Sequence, residues 1–387
     1  MPAGAFLPET VGMKSLIEKI LQRIFWLLPI AKKKIIFVSY YGSRYGCSPK
    51  YLSEYIVRTH PEWDVVWAFT HPERYDIEGV RKVKWMSLRY LYELSTSIVF
   101  VTNYRTAESY VKRSKQLYIM TWHSTLRLKM IEKDAESLLP PNYISMAKAD
   151  SEKIDLLLSG CRFSDEIFQR AFWYSGKILH SGTPRNDIFF FSDRLNMQKT
   201  VRNKLNIEDG VKLLLYAPTF RENKGLSCFN LDYRALANHL STTVGGRWQI
   251  LVRLHPHLLS CSDALLKDSG VIDVTEYDDI QELLLIADML VTDYSSLMFD
   301  FVLTRRPCFL YVPDIDTYMA EERKLYFDIE KLPFPSSRSQ EELHGLISNF
   351  DTGQYLSETE KFMNNTGSYE DGRASQRVTE YIEKWIG

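Results

Sequence analysis

The sequence has no surplus of charge of either sign. Across its 387 residues, 48 Lys plus Arg stand against 49 Asp plus Glu, a formal net charge of −1. That balance argues against nucleic acid as a partner, so an anionic ligand has to be met by local clusters. Cysteine is sparse. Cys47, Cys161, Cys228, Cys261 and Cys308 form no Cys-x-x-Cys pair, which argues against a disulfide framework or structural zinc and for reduced thiols in a cytosolic protein. Gly-x-Gly-x-x-Gly, a Walker loop and His-Glu-x-x-His are all missing, so dinucleotide oxidoreduction, P-loop hydrolysis and zincin chemistry lose their usual anchors. Near the N-terminus the longest uncharged apolar run, Ile24 to Ala31, is far short of the roughly 20 residues a membrane span needs. There is no internal repeat and no low-complexity tract. Asn364-Asn365-Thr366 matches the glycosylation triplet, but with no secretory signal it reads as chance.

What is present suits two domains of ordinary size: 45% hydrophobic and 13% aromatic residues are enough to bury two cores. In Met13 to Lys34, Leu16, Ile17, Ile20, Leu21, Ile24 and Leu28 fall on one helical face, with Lys14, Lys19 and Arg23 on the other. Lys32-Lys33-Lys34 follow. Such a segment either lies in a membrane interface, drawn by anionic lipids, or packs on the protein's own core.

From Ile35 apolar runs alternate with helical stretches. Strands are predicted at Ile35–Ser39, Val65–Phe69, Ile98–Thr102, Leu117–Thr121, Leu156–Ser159 and Ile178–His180, with helices at Tyr51–Val57, Leu88–Leu94 and Asp165–Phe172. After a polar stretch around Ser192 to Glu208 a second series begins, with strands at Leu213–Ala217, Gln249–Leu254, Val271–Val274, Asp288–Thr292 and Cys308–Val312. Helices are expected near Tyr233–His239, Ile280–Ile286 and Leu297–Leu303. Continuous apolar runs of this length are buried parallel strands, and the rhythm is that of doubly wound α/β domains. The division reads as an N-terminal segment over 1–34, a first domain over 35–190 and a second over 191–387. The helical tail from Tyr369 to Trp385 could return to the first domain.

Polar residues gather just past these strands, where a buried strand gives no structural reason for them. Trp122-His123-Ser124-Thr125 follow one strand, and His180 to Asp187, including Arg185, Asn186 and Asp187, end another. In the second series the strand ends carry Thr219 and Arg221, Arg253 and His255, and Asp293 with Ser295 and Ser296. Ser295 and Ser296 sit in a strand-turn-helix, where they either cap the helix or help its free amides bind a phosphate. His123 is either a satisfied buried histidine or a functional one. Arg253 and His255, two apart on a strand, share a face. His180 and His257 read as structural, and Asp314-Ile315-Asp316 is a weak match to a metal clamp. Cationic groups, histidines and hydroxyls on sheet edges that could face one another suit a phosphate-rich ligand in a cleft.

These blocks resemble a family. Thr121-Trp122-His123, Ser181 to Asp187, Tyr216 to Arg221, Arg253-Leu254-His255-Pro256, and Thr292 to Ser296 with Phe299-Asp300-Phe301 occur in the order seen in the CDP-glycerol glycerophosphotransferases, which build teichoic acids and related capsule polymers. The resemblance implies a GT-B-like fold, two Rossmann-type domains facing a cleft, and an amphipathic membrane-associating segment. It implies transfer of a polyol phosphate from CDP-glycerol or CDP-ribitol to a lipid-linked or polymeric glycan acceptor, with release of CMP, at the inner face of the cell membrane. It places the family's two histidines on His123 and His255, and phosphate binding on Arg253 and the Ser295-Ser296 turn, with Thr219, Arg221 and Asp293 beside them. No metal site is read; Mg2+ stays open, since the positive groups could replace a metal. Ser124, Thr125 and Leu126 depart from the family's Gly followed by Thr-Pro after the histidine. A nucleotide-sugar glycosyltransferase and a catalytically silent acceptor-binding member are the competing readings.

Overall fold

The computed structural model describes residues 11–221, 231–255, 266, 270–321 and 324–387. The chain forms two compact units. The first is built on a seven-stranded parallel sheet in the order β3-β2-β1-β4-β5-β6-β7, where β1 is Ala31–Val38, β2 Asp64–Phe69, β3 Val80–Lys84, β4 Ser97–Thr102, β5 Leu117–Met120, β6 Leu156–Ser159 and β7 Lys177–His180. Ile35, Phe37, Val65, Trp67, Val99, Val101, Leu117 and Ile119 are buried in its core, covered by Leu52 and Ile56 from helix Cys47–Thr59 and by Val378 and Ile382 from helix Ala374–Ile386. Each such aliphatic side chain contributes about 1.5–3 kcal/mol on full burial.

The second unit holds a six-stranded sheet in the order β10-β9-β8-β11-β12-β13, where β8 is Lys212–Ala217, β9 Trp248–Val252, β10 Ile272–Asp273, β11 Met289–Thr292, β12 Cys308–Tyr311 and β13 Ser336–Ser337. Its neighbours are parallel throughout. Both sheets run outward in two directions from a central pair, β1 with β4 and β8 with β11. In open α/β sheets the crevice at the carboxyl ends of such a pair is where ligands bind.

Two strands lie outside the sequence reading. β3 (VRKVK) mixes three charged residues with two valines at a sheet edge, and β13 is a two-residue edge strand. The units are also not contiguous. Leu126–Met130 belongs to the second, and Ser368–Gly387 to the first, unlike a simple division at 190. The helix predicted over Leu297–Leu303 is shorter: five residues, Leu297–Phe301, then a 3-10 turn.

The N-terminal segment is a helix only over Val11–Phe25. It docks through a polar side chain and an aromatic one: Gln22, fully buried, donates to Ser109 O at 2.6 Å and accepts from Val111 N at 3.1 Å, and Phe25 meets the Tyr92 ring edge-on at 5.6 Å. Leu16, Ile17, Ile20 and Ile24 are about half exposed, at 57%, 51%, 49% and 52%. Lys32 to Lys34 belong to β1 rather than to a basic tail. Lys34 is buried against Glu93 at 2.8 Å. Burial alone would raise the Glu93 carboxyl, but hydrogen bonds from Arg81 and Lys34 outweigh it and take the group down to about 2. No helix among the described residues is long and apolar enough to cross a membrane.

Candidate active site

In the first unit the central strand pair delivers the turn Tyr40–Gly42 after β1 and Asn103-Tyr104 after β4. The next strand, β5, delivers Trp122 and His123. Asn103, fully buried, ties the three strand ends together. Its Oδ1 accepts from Tyr40 N at 2.9 Å, and its backbone carbonyl lies 3.2 Å from His123 Nδ1. A carbonyl only accepts, so the neutral imidazole carries its proton on Nδ1 and its lone pair on Nε2. That is the tautomer a general base needs. The backbone here is strained. Tyr40, Tyr41, Cys47 and Trp122 all have φ between 50° and 60°, a left-handed conformation that costs a non-glycine residue about 1–2 kcal/mol and tends to persist at functional sites.

Of the polar residues expected past the strand that ends at His180, Arg185 is buried and donates to His123 O at 2.6 Å. It acts on the histidine through the main chain. Asn186 donates to Thr125 Oγ1 at 2.7 Å, fixing the loop that leaves His123. Asp187 is a correction to a site role: its carboxylate accepts from Ala374 N and Ser375 N at 2.9 and 2.8 Å, so it caps the C-terminal helix. His180 is exposed and pairs with Asp165, a structural contact as expected.

In the second unit the central pair brings Thr219 and Arg221 beside Asp293. Asp293 accepts from Thr219 N at 2.9 and 3.0 Å and from Thr219 Oγ1 at 2.9 Å. Arg221, only 4% exposed, lies 2.9 Å from both Asp293 and Asp314, and its guanidinium stands over the rings of Tyr294 and Tyr318. Burial alone would favour the neutral guanidine, but the two carboxylates outweigh it and raise its pKa further. The predicted phosphate ligand Arg221 is therefore neutralised within the protein. Its partner Asp293 holds the β8 loop against β11. Asp314 and Asp316 do not share a metal position: Asp314 serves Arg221 and Tyr294, and Asp316 pairs with Arg338.

Arg253 and His255 follow β9 and are half-buried, with His255 5.5 Å from the Phe220 ring. His257 lies outside the described residues. In the Tyr294-Ser295-Ser296 turn, Ser295 Oγ accepts from Leu297 N at 3.3 Å, while Ser296 Oγ accepts from Leu128 N at 3.2 Å. Ser296 occupies the helix N-cap position but makes no side-chain cap bond; its hydroxyl instead anchors the Leu126–Met130 strap within the second unit. Among the described residues no group of three or more His, Cys, Asp or Glu is placed to share a metal ion.

Asn103 and Tyr104 escaped the sequence reading, although the same signal, polar residues after the apolar run Ile98–Thr102, marks them.

Two parallel-sheet Rossmann-like units, each with polar groups past the carboxyl ends of its inner strands, place the chain in the architectural class of the GT-B-like transferases. Residues 20–384 match the family model for CDP-glycerol:poly(glycerophosphate) glycerophosphotransferase, and the chain belongs to that family. It is 33% identical to the teichoic acid glycerol-phosphate transferase of Staphylococcus aureus, over 96% of this chain and 99% of that protein. To the teichoic acid poly(glycerol phosphate) polymerase of Staphylococcus epidermidis it is 34% identical, over 92% of this chain and 51% of that one. The chain spans about half the length of that polymerase and of its Bacillus subtilis counterpart. Among solved structures it is similar to the wall teichoic acid polymerase TagF in a histidine variant soaked with CDPG, with a TM-score of 0.84, 32% identity and coverage of 97% of this chain and 96% of that one. A UDP-N-acetylglucosamine 2-epimerase from Listeria monocytogenes, 14% identical with a TM-score of 0.53, shares the fold alone.

Proposed function

We propose that this protein transfers glycerol phosphate from CDP-glycerol to a hydroxyl of a teichoic acid or capsule-type acceptor, releasing CMP. The family match over residues 20–384 carries this reading, and the His123 tautomer supports its chemistry. The acceptor oxygen attacks the phosphorus bearing glycerol, the bond from that phosphorus to CMP breaks, and His123 Nε2 takes the acceptor proton. Phosphoryl transfer needs positioning and charge stabilisation more than covalent help. Arg253, His255 and Ser295 at the second sheet's strand ends bind the donor pyrophosphate. Thr219, Arg221 and Asp293 hold the loop beside them, and Ser296 holds the strap that follows His123. The first domain serves the acceptor and the second the donor.

Incubating the protein with CDP-glycerol and CDP-ribitol in the presence of a lipid-linked acceptor tests this. The expected result is acceptor-dependent CMP and a new phosphodiester with CDP-glycerol, and less with CDP-ribitol. A glycoside formed from a nucleotide sugar, or no CMP from either donor, sinks the reading.

We further propose that the N-terminal helix binds the membrane surface as an amphipathic element, making the protein peripheral at the inner face. The support is its orientation: Gln22 docks inward while Leu16, Ile17, Ile20 and Ile24 stand about half exposed, unlike a helix whose whole apolar stripe packs on its own core. Substituting Leu16, Ile20 and Ile24 together by Asn, which keeps the Gln22 contacts and leaves β1 intact, should move the protein from sedimented anionic vesicles to the supernatant. Unchanged sedimentation refutes it.

A further inference from the structure

His123 is held on its ring faces as well as at its nitrogen. Tyr104 stacks on it with centroids 4.8 Å apart and an interplanar angle of 23°, and Trp122 lies 4.3 Å away at 33°. Tyr104 is itself fixed, stacked on Tyr41 at 5.0 Å and met edge-on by Tyr40 at 5.5 Å. The chain therefore spends two left-handed tyrosines, Tyr40 and Tyr41, on bracing a third.

We propose that Tyr104 is a positioning residue that clamps the His123 imidazole in one plane, so that its Nδ1 stays on Asn103 O and its Nε2 is presented as the proton acceptor. The catalytic meaning rests on the transfer reading above. The clamp itself rests on geometry. An imidazole free to turn about its last side-chain bond exchanges Nδ1 with Cδ2 and Nε2 with Cε1, which would put a carbon against Asn103 O. The hydrogen bond to Asn103 O selects one orientation, and a ring stacked on the face makes departure from that plane costly. The electron-rich faces of Tyr104 and Trp122 also favour the imidazolium that forms when the proton is accepted. Opposing that is Arg185, from the turn Pro184–Phe189, whose guanidinium bonds His123 O. The other titratable groups gathered here are Tyr40 and Tyr41 after β1, Arg44, whose charge acts on Tyr104, and Cys47 at the start of helix Cys47–Thr59, whose thiol is 3.6 Å from Arg185. Burial, then Tyr41 and Cys47, push the Tyr104 hydroxyl above its ordinary pKa, so the clamp is a neutral ring.

The test uses the full chain labelled with 15N-histidine, His123 being assigned by the signals lost in His123→Asn. In the wild type, neutral His123 should be in the Nδ1–H form. In Tyr104→Leu it should drift toward a mixture with the Nε2–H form, and its titration midpoint should fall by about half a pH unit. Its kcat should drop about ten- to a hundredfold with the donor KM unmoved. Tyr104→Phe, which keeps the ring, should restore all three. Tyr41→Leu, which loosens the brace, should shift the tautomer in the same direction by less, and decides the matter if Tyr104→Leu melts below assay temperature. An unchanged His123 spectrum in the leucine variants, or Tyr104→Phe as damaging as Tyr104→Leu, overturns the clamp. Absence of CMP release from the wild type would instead overturn the transfer reading, and the tautomer measurement would still decide the clamp.

Discussion

His123→Ala should cost about 10²–10⁴-fold in turnover, the range that a positioned proton acceptor supplies, with the dissociation constant for CDP-glycerol nearly unchanged. The loss falls on turnover because the histidine's only proposed task is proton removal in the transition state, which lowers kcat and kcat/KM together. Donor affinity is spared because the groups proposed to bind the donor, Arg253, His255 and Ser295, follow β9 and β11 of the other sheet. His123→Gln is the sharper comparison. It keeps bulk and a hydrogen bond toward Asn103 O but supplies no basic nitrogen, so it should be nearly as inactive as the alanine variant. Calorimetric titration with CDP-glycerol and a CMP-release assay on the same preparations measure the two quantities. Turnover within about tenfold of wild type in either variant would remove the histidine from the reaction.

Arg221→Met should unfold the second unit more readily, by about 3–5 kcal/mol, the usual cost of breaking a buried ion pair from one side. The arginine is enclosed, and its removal leaves the carboxylates of Asp293 and Asp314 facing each other without the charge that both contact at 2.9 Å. Asp293 keeps its bonds from Thr219 and Asp314 keeps its bond from the Tyr294 hydroxyl, but neither keeps a cationic partner in Arg221. A surface comparison sets the scale. Arg338, half exposed and paired with Asp316 and Glu330 at 3.2 Å, should lose less than about 1 kcal/mol on substitution by Met. Urea denaturation followed by fluorescence separates the two. It also separates two roles for Arg221: a direct phosphate ligand would weaken donor binding with little change in the unfolding midpoint, whereas a structural ion shifts the midpoint first.

The difference between those roles marks what the sequence could and could not disclose. Buried parallel strands announce themselves as apolar runs, so most of both sheets was legible, and β3 was hidden because an edge strand with one wet face interleaves Arg81, Lys82 and Lys84 with its two valines. Polar residues past a strand end put His123, Arg185 and Thr219 at the sheet edges. What each polar group faces is a different matter, set by strand order. Arg221 and Asp314 are 93 positions apart, and Asp187 meets a helix start 187 residues further on. Tyr41, Tyr104 and His123 come from three strand ends adjacent only because β4 lies between β1 and β5. The left-handed backbone at Tyr40 and Tyr41 carries no compositional signature either, since glycine or asparagine would be expected there.

The interleaving of the two units along the chain has a consequence for how the protein is made. The first sheet is written by residue 180, yet Val378 and Ile382, which cover its core, and the helix that Asp187 caps arrive only in the final stretch. During synthesis the earlier sheet, already covered in part by helix Cys47–Thr59, waits with the rest of that apolar face open while the later one is translated, and the later unit takes up Leu126–Met130, which the ribosome released first. Cutting the gene between codons 190 and 191 would therefore yield two fragments that each lack a piece held by the other, and they should recover a native fold only when expressed together.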